Sequence, residues 1–225
     1  MIKMNPYPSE QLAGIYRAIR ERRDVRSGFL PAPLPQDLLL RLLGSAHQAP
    51  SVGFMQPWRF IVIQSRSIRQ RIFEIFKDSS ADEHGTYSGA RAELYSRLTL
   101  QGILTAPLNL CVVCDCESSH GHSLGRHTMS ETALYSAVCA IQNLWLAARA
   151  ESVGLGWVSI LDPERVKAVL NIPSSITLVG YFCMGFVEKF AAEPELETAG
   201  WERRLRLEDV LRSETFDRAW SAAQS

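Results

Sequence analysis

Three guanidiniums flank one carboxylate in the run Arg22-Arg23-Asp24-Val25-Arg26. Arginine stays charged at any physiological pH and grips phosphate oxygens with a planar fork of N–H donors. A segment of this composition can hold a phosphate while presenting one acid to whatever that phosphate carries. A solvated cluster of surface ion pairs explains the same five residues, because exposed charge clusters are common and each pair contributes little.

A second constellation is Gly154-Leu155-Gly156-Trp157-Val158-Ser159. Its glycines let a flat ligand approach the backbone amides, and Ser159 adds a hydroxyl that can donate or accept. A tight turn from helix into strand around a buried Trp157 is the plainer account. A third is the loop Pro50-Ser51-Val52-Gly53-Phe54-Met55-Gln56-Pro57-Trp58, which carries neither a metal-ligand set nor a nucleophile. Gly53 can expose its amide there, and Gln56 can cap a heteroaromatic edge. The same loop also reads as a proline-stiffened connection that packs Trp58 inward.

Cys111, Cys114 and Cys116 precede His120, His122 and His127, which raises the question of zinc. Residues 108–115 read as a strand, however, and strand side chains alternate between faces. Cys111 and Cys114 then point to opposite sides and cannot share an ion, so no metal site is expected. Nucleophile-elbow, zincin, Walker and complete dinucleotide-binding glycine motifs are missing from the sequence. In the tail, Arg203, Arg204 and Arg206 can supply further phosphate contacts or form a solvated helix start.

The 225 residues are 46% apolar and carry 24 basic and 24 acidic side chains. A sizeable core is available, and zero net charge argues against nucleic-acid binding. No apolar run approaches the ~20 residues of a membrane span, and the N-terminus shows no secretory signal. Five cysteines without framework spacing suit reduced thiols in a cytoplasmic protein.

Periodicity supplies the elements that must position these residues. Leu12, Ile15, Tyr16 and Ile19 make a stripe on a helix over 9–22. Pro35 opens a second helix whose buried stripe is Leu38, Leu39, Leu42, Leu43 and Ala46. Strands are predicted over 59–64, 108–115 and 176–187, and a strand or loop over 155–161. A helix capped by Ser65 carries Ile68, Ile72, Ile75 and Phe76. Residues 78–89 read as a mobile loop, 91–101 as helical and 117–127 as a polar loop. A long apolar helix over 130–152 should end on a left-handed cap near Gly154, and Asp162-Pro163 should start another. Together these predict a single α+β domain over 1–225, with a small central sheet, a long core helix and an extended C-terminal tail.

In this order and at these separations, the segments resemble the flavin-dependent nitroreductase family, from Tyr16 to about Val210. The carriers are the arginine motif after the first helix, the P-S-x-x-x-x-Q-P-W loop at Pro50–Trp58, and the late glycine-rich strand entry. The R-R-D-V-R, S-V-G-x-M-Q-P-W and G-L-G-W-V-S forms resemble a branch of that family in which reduced FMN is consumed with dioxygen rather than retained. Ordinary members commonly carry Asn where Phe54 stands and lack an acid matching Asp24.

That resemblance implies FMN binding by Arg22, Arg23, Asp24, Val25, Arg26, Pro50, Ser51, Met55, Leu155, Gly156, Trp157, Val158, Ser159 and Arg204. It implies dioxygen at Gly53, with Asp24 and Ser159 catalytic. It further implies a homodimer whose flavin sites draw on both chains, and a separate flavin reductase that supplies reduced FMN. An FMN-dependent NAD(P)H reductase of nitro compounds or quinones, and a flavin carrier without activity, are the rival readings.

Overall fold

The computed structural model describes residues 6–98 and 102–221, in two compact units, 1–192 and 193–225. Unit 1 is built on a four-stranded antiparallel sheet of β1 (Trp58–Ile63), β2 (Leu108–Cys114), β3 (Val153–Val158) and β4 (Thr177–Phe186), in the order β1-β2-β4-β3. Its helices are α1 (Ser9–Glu21), α2 (Gln36–His47), α3 (Arg66–His84), α4 (Gly89–Arg97), α5 (Gly102–Thr105), α6 (Thr132–Ala150) and α7 (Pro163–Leu170). The expected α+β class is what forms.

Alternation along β2 divides the core. Leu108, Leu110 and Val112 meet α2 and α6, packing with Leu38, Leu42, Ile141 and Leu144. Cys111 and Val113 face the other way, onto Ile72, Ile75 and Phe76 of α3 and Val166 of α7. Cys111 and Cys114 thus lie on opposite faces, as the strand period requires. Every residue of β2 is buried because helices cover both faces. The only polar side chain in that strand, Asn109, is fully buried and donates to the Ile103 carbonyl at 3.1 Å and the Tyr181 hydroxyl at 2.9 Å.

Local chemistry sets several boundaries. The Ser65 hydroxyl accepts from Ile68 N at α3, and Asp162 Oδ1 accepts from Glu164 N and Arg165 N at α7, each satisfying otherwise orphaned helix-start amides. Two expectations need correcting. Residues 78–84 continue α3, because no glycine or proline interrupts the chain before Gly85 and the turn is clamped by the His84, Tyr87 and Tyr95 rings. The left-handed residue after α6 is Ser152 (φ 59°), and Gly154 already lies in β3. α4 ends at Arg97, and residues 99–101 of the helix expected there lie outside the described residues.

α1 also departs from a simple amphipathic reading. None of its residues is buried, and Ile15, Tyr16 and Ile19 stay 45–57% exposed. Unit 2 holds the short helices α8 (Glu195–Thr198) and α9 (Leu207–Val210), with exposed Leu205, Phe216 and Trp220.

Candidate active site

The arginine motif becomes a strap laid along the free edge of β3. Asp24 forms a parallel bridge with Leu155, and Val25 N donates to the Leu155 carbonyl at 3.1 Å. Such an approach leaves no room for side chains beneath it. A Cβ at 156 would overlap the Val25 carbonyl, and one at 154 would press on the Val187 and Val25 methyls. Gly156 is therefore required by the strap itself, and Gly154 chiefly by the Val187 side chain. The tight-packing account explains both glycines, although Trp157 is 36% exposed rather than buried.

The strap fixes Asp24. Its Oδ1 accepts from Trp157 N at 2.7 Å, and its Oδ2 faces Arg26 Nε at 3.3 Å. One oxygen is held by backbone and the other by a guanidinium, while about a third of the side chain remains open to solvent. Such charge-assisted bonds are stronger than neutral ones and fix the direction of the carboxylate. Ser159 lies two residues beyond Trp157, just past the end of β3, and is exposed. The sequence-predicted Asp24, Val25, Arg26, Leu155, Gly156, Trp157, Val158 and Ser159 thus come together at one sheet edge.

The three arginines have different surroundings. Arg23 turns onto main chain, donating to the carbonyls of Arg20 and Arg22 at 2.8 Å each and to that of Ala192. Arg22 lies 4.9 Å above the Trp145 ring, a cation–π arrangement. Arg26 pairs with Asp24. Sequence reasoning missed the brace behind them. Trp145 of α6 donates from Nε1 to the Arg23 carbonyl at 3.0 Å and meets Trp157 edge-on, 6.2 Å between centroids. One turn on, Arg149 holds the Glu21 carboxylate at 2.5 Å. Nothing in the spacing of a long apolar helix shows that its Trp145 and Arg149 turn toward the strap.

The Pro50–Trp58 loop is elsewhere. Val52 N donates to Ser136 Oγ at the start of α6, whereas the strap leans on Trp145. At about 1.5 Å per residue those anchors are roughly 14 Å apart along the helix. β1, which follows the loop, and β3 are opposite edges of the sheet, three strand spacings or roughly 14 Å apart. Within one chain the loop and the strap do not share a pocket.

Inside the loop, Ser51 Oγ accepts from Gln56 N at 3.1 Å, and Pro50 is exposed. Met55 is only 2% exposed and packs on Ala133, Ala137 and Trp58. Gly53 adopts φ 54°, and its absent Cβ faces the Leu124 carbonyl at 2.8 Å and the Gly121 carbonyl at 3.0 Å. The polar 117–127 loop, rich in positive-φ residues, closes over this turn. Trp58 Nε1 donates to His47 Nδ1 at 3.1 Å, pinning the end of the loop to α2. Arg204 belongs to unit 2, where it lines a groove with Pro194, Leu196 and Glu202. Among the described residues no group of His, Cys, Asp and Glu side chains is arranged to hold a metal ion, and no helix is long and apolar enough to cross a membrane.

This sheet, with its arginine strap, defines the class. The chain belongs to the nitroreductase family, whose model matches residues 19–186, and it is an enzyme of the oxidoreductase type. It is 43% identical over 191 residues to a 5,6-dimethylbenzimidazole synthase of Rhodospirillum rubrum, covering 85% of this chain and 90% of the relative. A 5,6-dimethylbenzimidazole synthase of Rhodobacter capsulatus is 42% identical over 190 residues, covering 84% and 91%. Among solved structures, an oxidised iodotyrosine deiodinase bound to FMN and 3-iodo-L-tyrosine superposes with a TM-score of 0.71 at 22% identity, covering 90% of this chain and all of that one. A Clostridium novyi nitroreductase family protein gives 0.60 at 19% identity, covering 92% and 96%. These two likenesses establish the fold.

Proposed function

We propose that this chain makes 5,6-dimethylbenzimidazole, the lower ligand of vitamin B12, by oxidative fragmentation of reduced FMN with dioxygen, releasing erythrose 4-phosphate. The observation that carries the reading is the Asp24 carboxylate, held between Trp157 N–H and Arg26 inside an arginine strap. The names of the relatives at 42–43% identity support it from outside the structure.

The residues suit the substrate. Arg22 and Arg26 would neutralise the flavin phosphate, while Arg23, bound to carbonyls, would shape the strap that carries them. Arg204 remains a proposed phosphate contact from the tail. The main chain of Leu155 to Val158 would lie against one side of the ring, and Pro50, Ser51 and the main chain of Met55 against the other. Gly53 would orient dioxygen with its amide. Bound flavin supplies the electrons for dioxygen and the carbon skeleton of the product. Asp24 would accept a proton from the ribityl chain, and Ser159 would hydrogen-bond the central ring nitrogen. Burying these groups under a partner surface would strengthen each contact by excluding water.

A homodimer follows from the same reading. The strap and the Gly53 loop lie at opposite edges of one sheet, so a second copy is needed to bring both to one ring. The uncovered apolar stripe of α1, together with Tyr135 and Val138 exposed on α6, supports such an interface. A separate flavin reductase would deliver reduced FMN.

The test is to mix the protein with chemically reduced FMN in air and follow the products. Appearance of the benzimidazole is the expected result. With reduced nicotinamide added, its rapid oxidation with the flavin retained would assign a nitro or quinone reductase instead, and reduced FMN that is only reoxidised to intact FMN a carrier.

A further inference from the structure

Two thiols outside the proposed flavin site lie close together. Cys116 Sγ is 3.5 Å from Cys114 Sγ, at the point where β2 ends and the polar 117–127 loop begins. Cys116 lies past the end of β2, in the turn that follows it, and a disulfide needs an S–S separation of ~2.05 Å. Bond formation therefore requires the sulfurs to close by roughly 1.5 Å. The two differ in access: Cys114 is fully buried, whereas Cys116 is part-exposed and lines a cavity of about 470 Å³.

We propose that Cys114 and Cys116 form a peroxide-oxidisable dithiol, a reversible modification site at the root of the loop that covers Gly53. The oxidant is a hydroperoxide, of which hydrogen peroxide is the simplest. The Cys116 thiolate attacks the peroxide O–O bond, which breaks to leave a sulfenic acid on Cys116 and hydroxide that takes up a proton as water. Cys114 sulfur then attacks the Cys116 sulfur. The S–O bond breaks, the thiol proton leaves with the hydroxyl as a second water, and the disulfide forms. In sum, two thiols lose two electrons and two protons, and one peroxide is reduced to two waters.

The order of attack follows from access. Burial pushes the Cys114 thiol up to about 12, which leaves Cys116 as the sulfur that meets the oxidant. The cavity is mixed in charge, with Arg126 and His127 alongside Glu117 and Glu131, so access and sulfur proximity are what single out Cys116. Arg126 also ties the loop to the pair, since it donates to the Cys116 carbonyl and, at 3.0 Å, to that of Ser118. A disulfide here would tighten the chain entering residues 117–127, whose Gly121 main chain lies against Gly53.

The proposal stands apart from the flavin chemistry and is tested without it. The full-length protein is treated with one equivalent of hydrogen peroxide, the remaining thiols are alkylated, and digests are read by mass spectrometry. The expected result is loss of two hydrogens from the peptide holding Cys114 and Cys116, reversed by dithiothreitol. The change should be abolished in Cys116→Ala and kept in Cys111→Ala and Cys139→Ala. Cys111→Ala is needed because Cys111 shares that peptide, and Cys139 is the exposed thiol that reports general oxidation. A pair that stays reduced would overturn the proposal. So would a mass loss that survives in Cys116→Ala, or a disulfide found only between chains.

Discussion

The strap at residues 22–26 and the turn at residues 51–56 both depend on glycine, for different reasons. In β3, Gly154 and Gly156 lie in an ordinary strand, and their missing side chains make room for the Val187 and Val25 methyls at 154 and for the Val25 main chain at 156. In the loop, Gly53 is needed for its positive φ as well, and Phe54 and Gln56 continue in the left-handed region after it. The first device yields a carboxylate fixed in direction by two bonds. The second yields a compact knob closed over by the 117–127 loop. A glycine-rich segment beside a presumed ligand site can thus owe its glycines to the protein's own packing. Its capacity to meet a ligand then rests on what that packing orients.

Asp24→Asn probes the strap most sharply. The amide oxygen can still accept from Trp157 N–H, so the fold should persist while the charge is lost. Benzimidazole yield should fall by ~10²–10⁴-fold with reduced FMN still bound; product assay beside flavin titration checks it, and wild-type yield would remove Asp24 as the proton acceptor. Gly156→Ala comes next. The added methyl overlaps the Val25 carbonyl, and lifting the strap should cost about 1–3 kcal/mol together with flavin affinity, read from the denaturation midpoint and a binding titration.

Gly53→Ala should cost about 1–2 kcal/mol, because an L-residue must take up a left-handed conformation. The Leu124 carbonyl at 2.8 Å from the new methyl adds to that cost. Thermal unfolding measures the loss, and a Gly53→Ala protein as stable as the wild type would remove the conformational requirement at residue 53. The smallest effect is expected of Trp145→Phe, which keeps a ring under Arg22 but removes the N–H bond to the Arg23 carbonyl. A loss of roughly 0.5–1.5 kcal/mol in chemical denaturation is expected.

The two segments that meet in the candidate site, residues 22–26 and 154–159, were legible because charge clustering and glycine spacing are local signals. The helix caps at Ser65 and Asp162 were legible for the same reason. The 78–84 segment was misread as a loop because its composition is polar, while helix continuity there depends on rings packed from Tyr87 and Tyr95.

What the sequence determined by itself is the four strands and most of the longer helices, the opposed faces of Cys111 and Cys114, and the chemical types gathered in each motif. These follow from periods of two and 3.6 and from side-chain chemistry. The tertiary structure alone decided that Val25 lies over Gly156, that Trp145 braces the strap, and that the Gly53 loop stands at the opposite sheet edge. Those facts depend on which surfaces meet across more than a hundred residues of chain, as with the Trp145 to Arg23 bond spanning 122 positions. No local spacing encodes such a meeting; it is selected by the packing of the whole core.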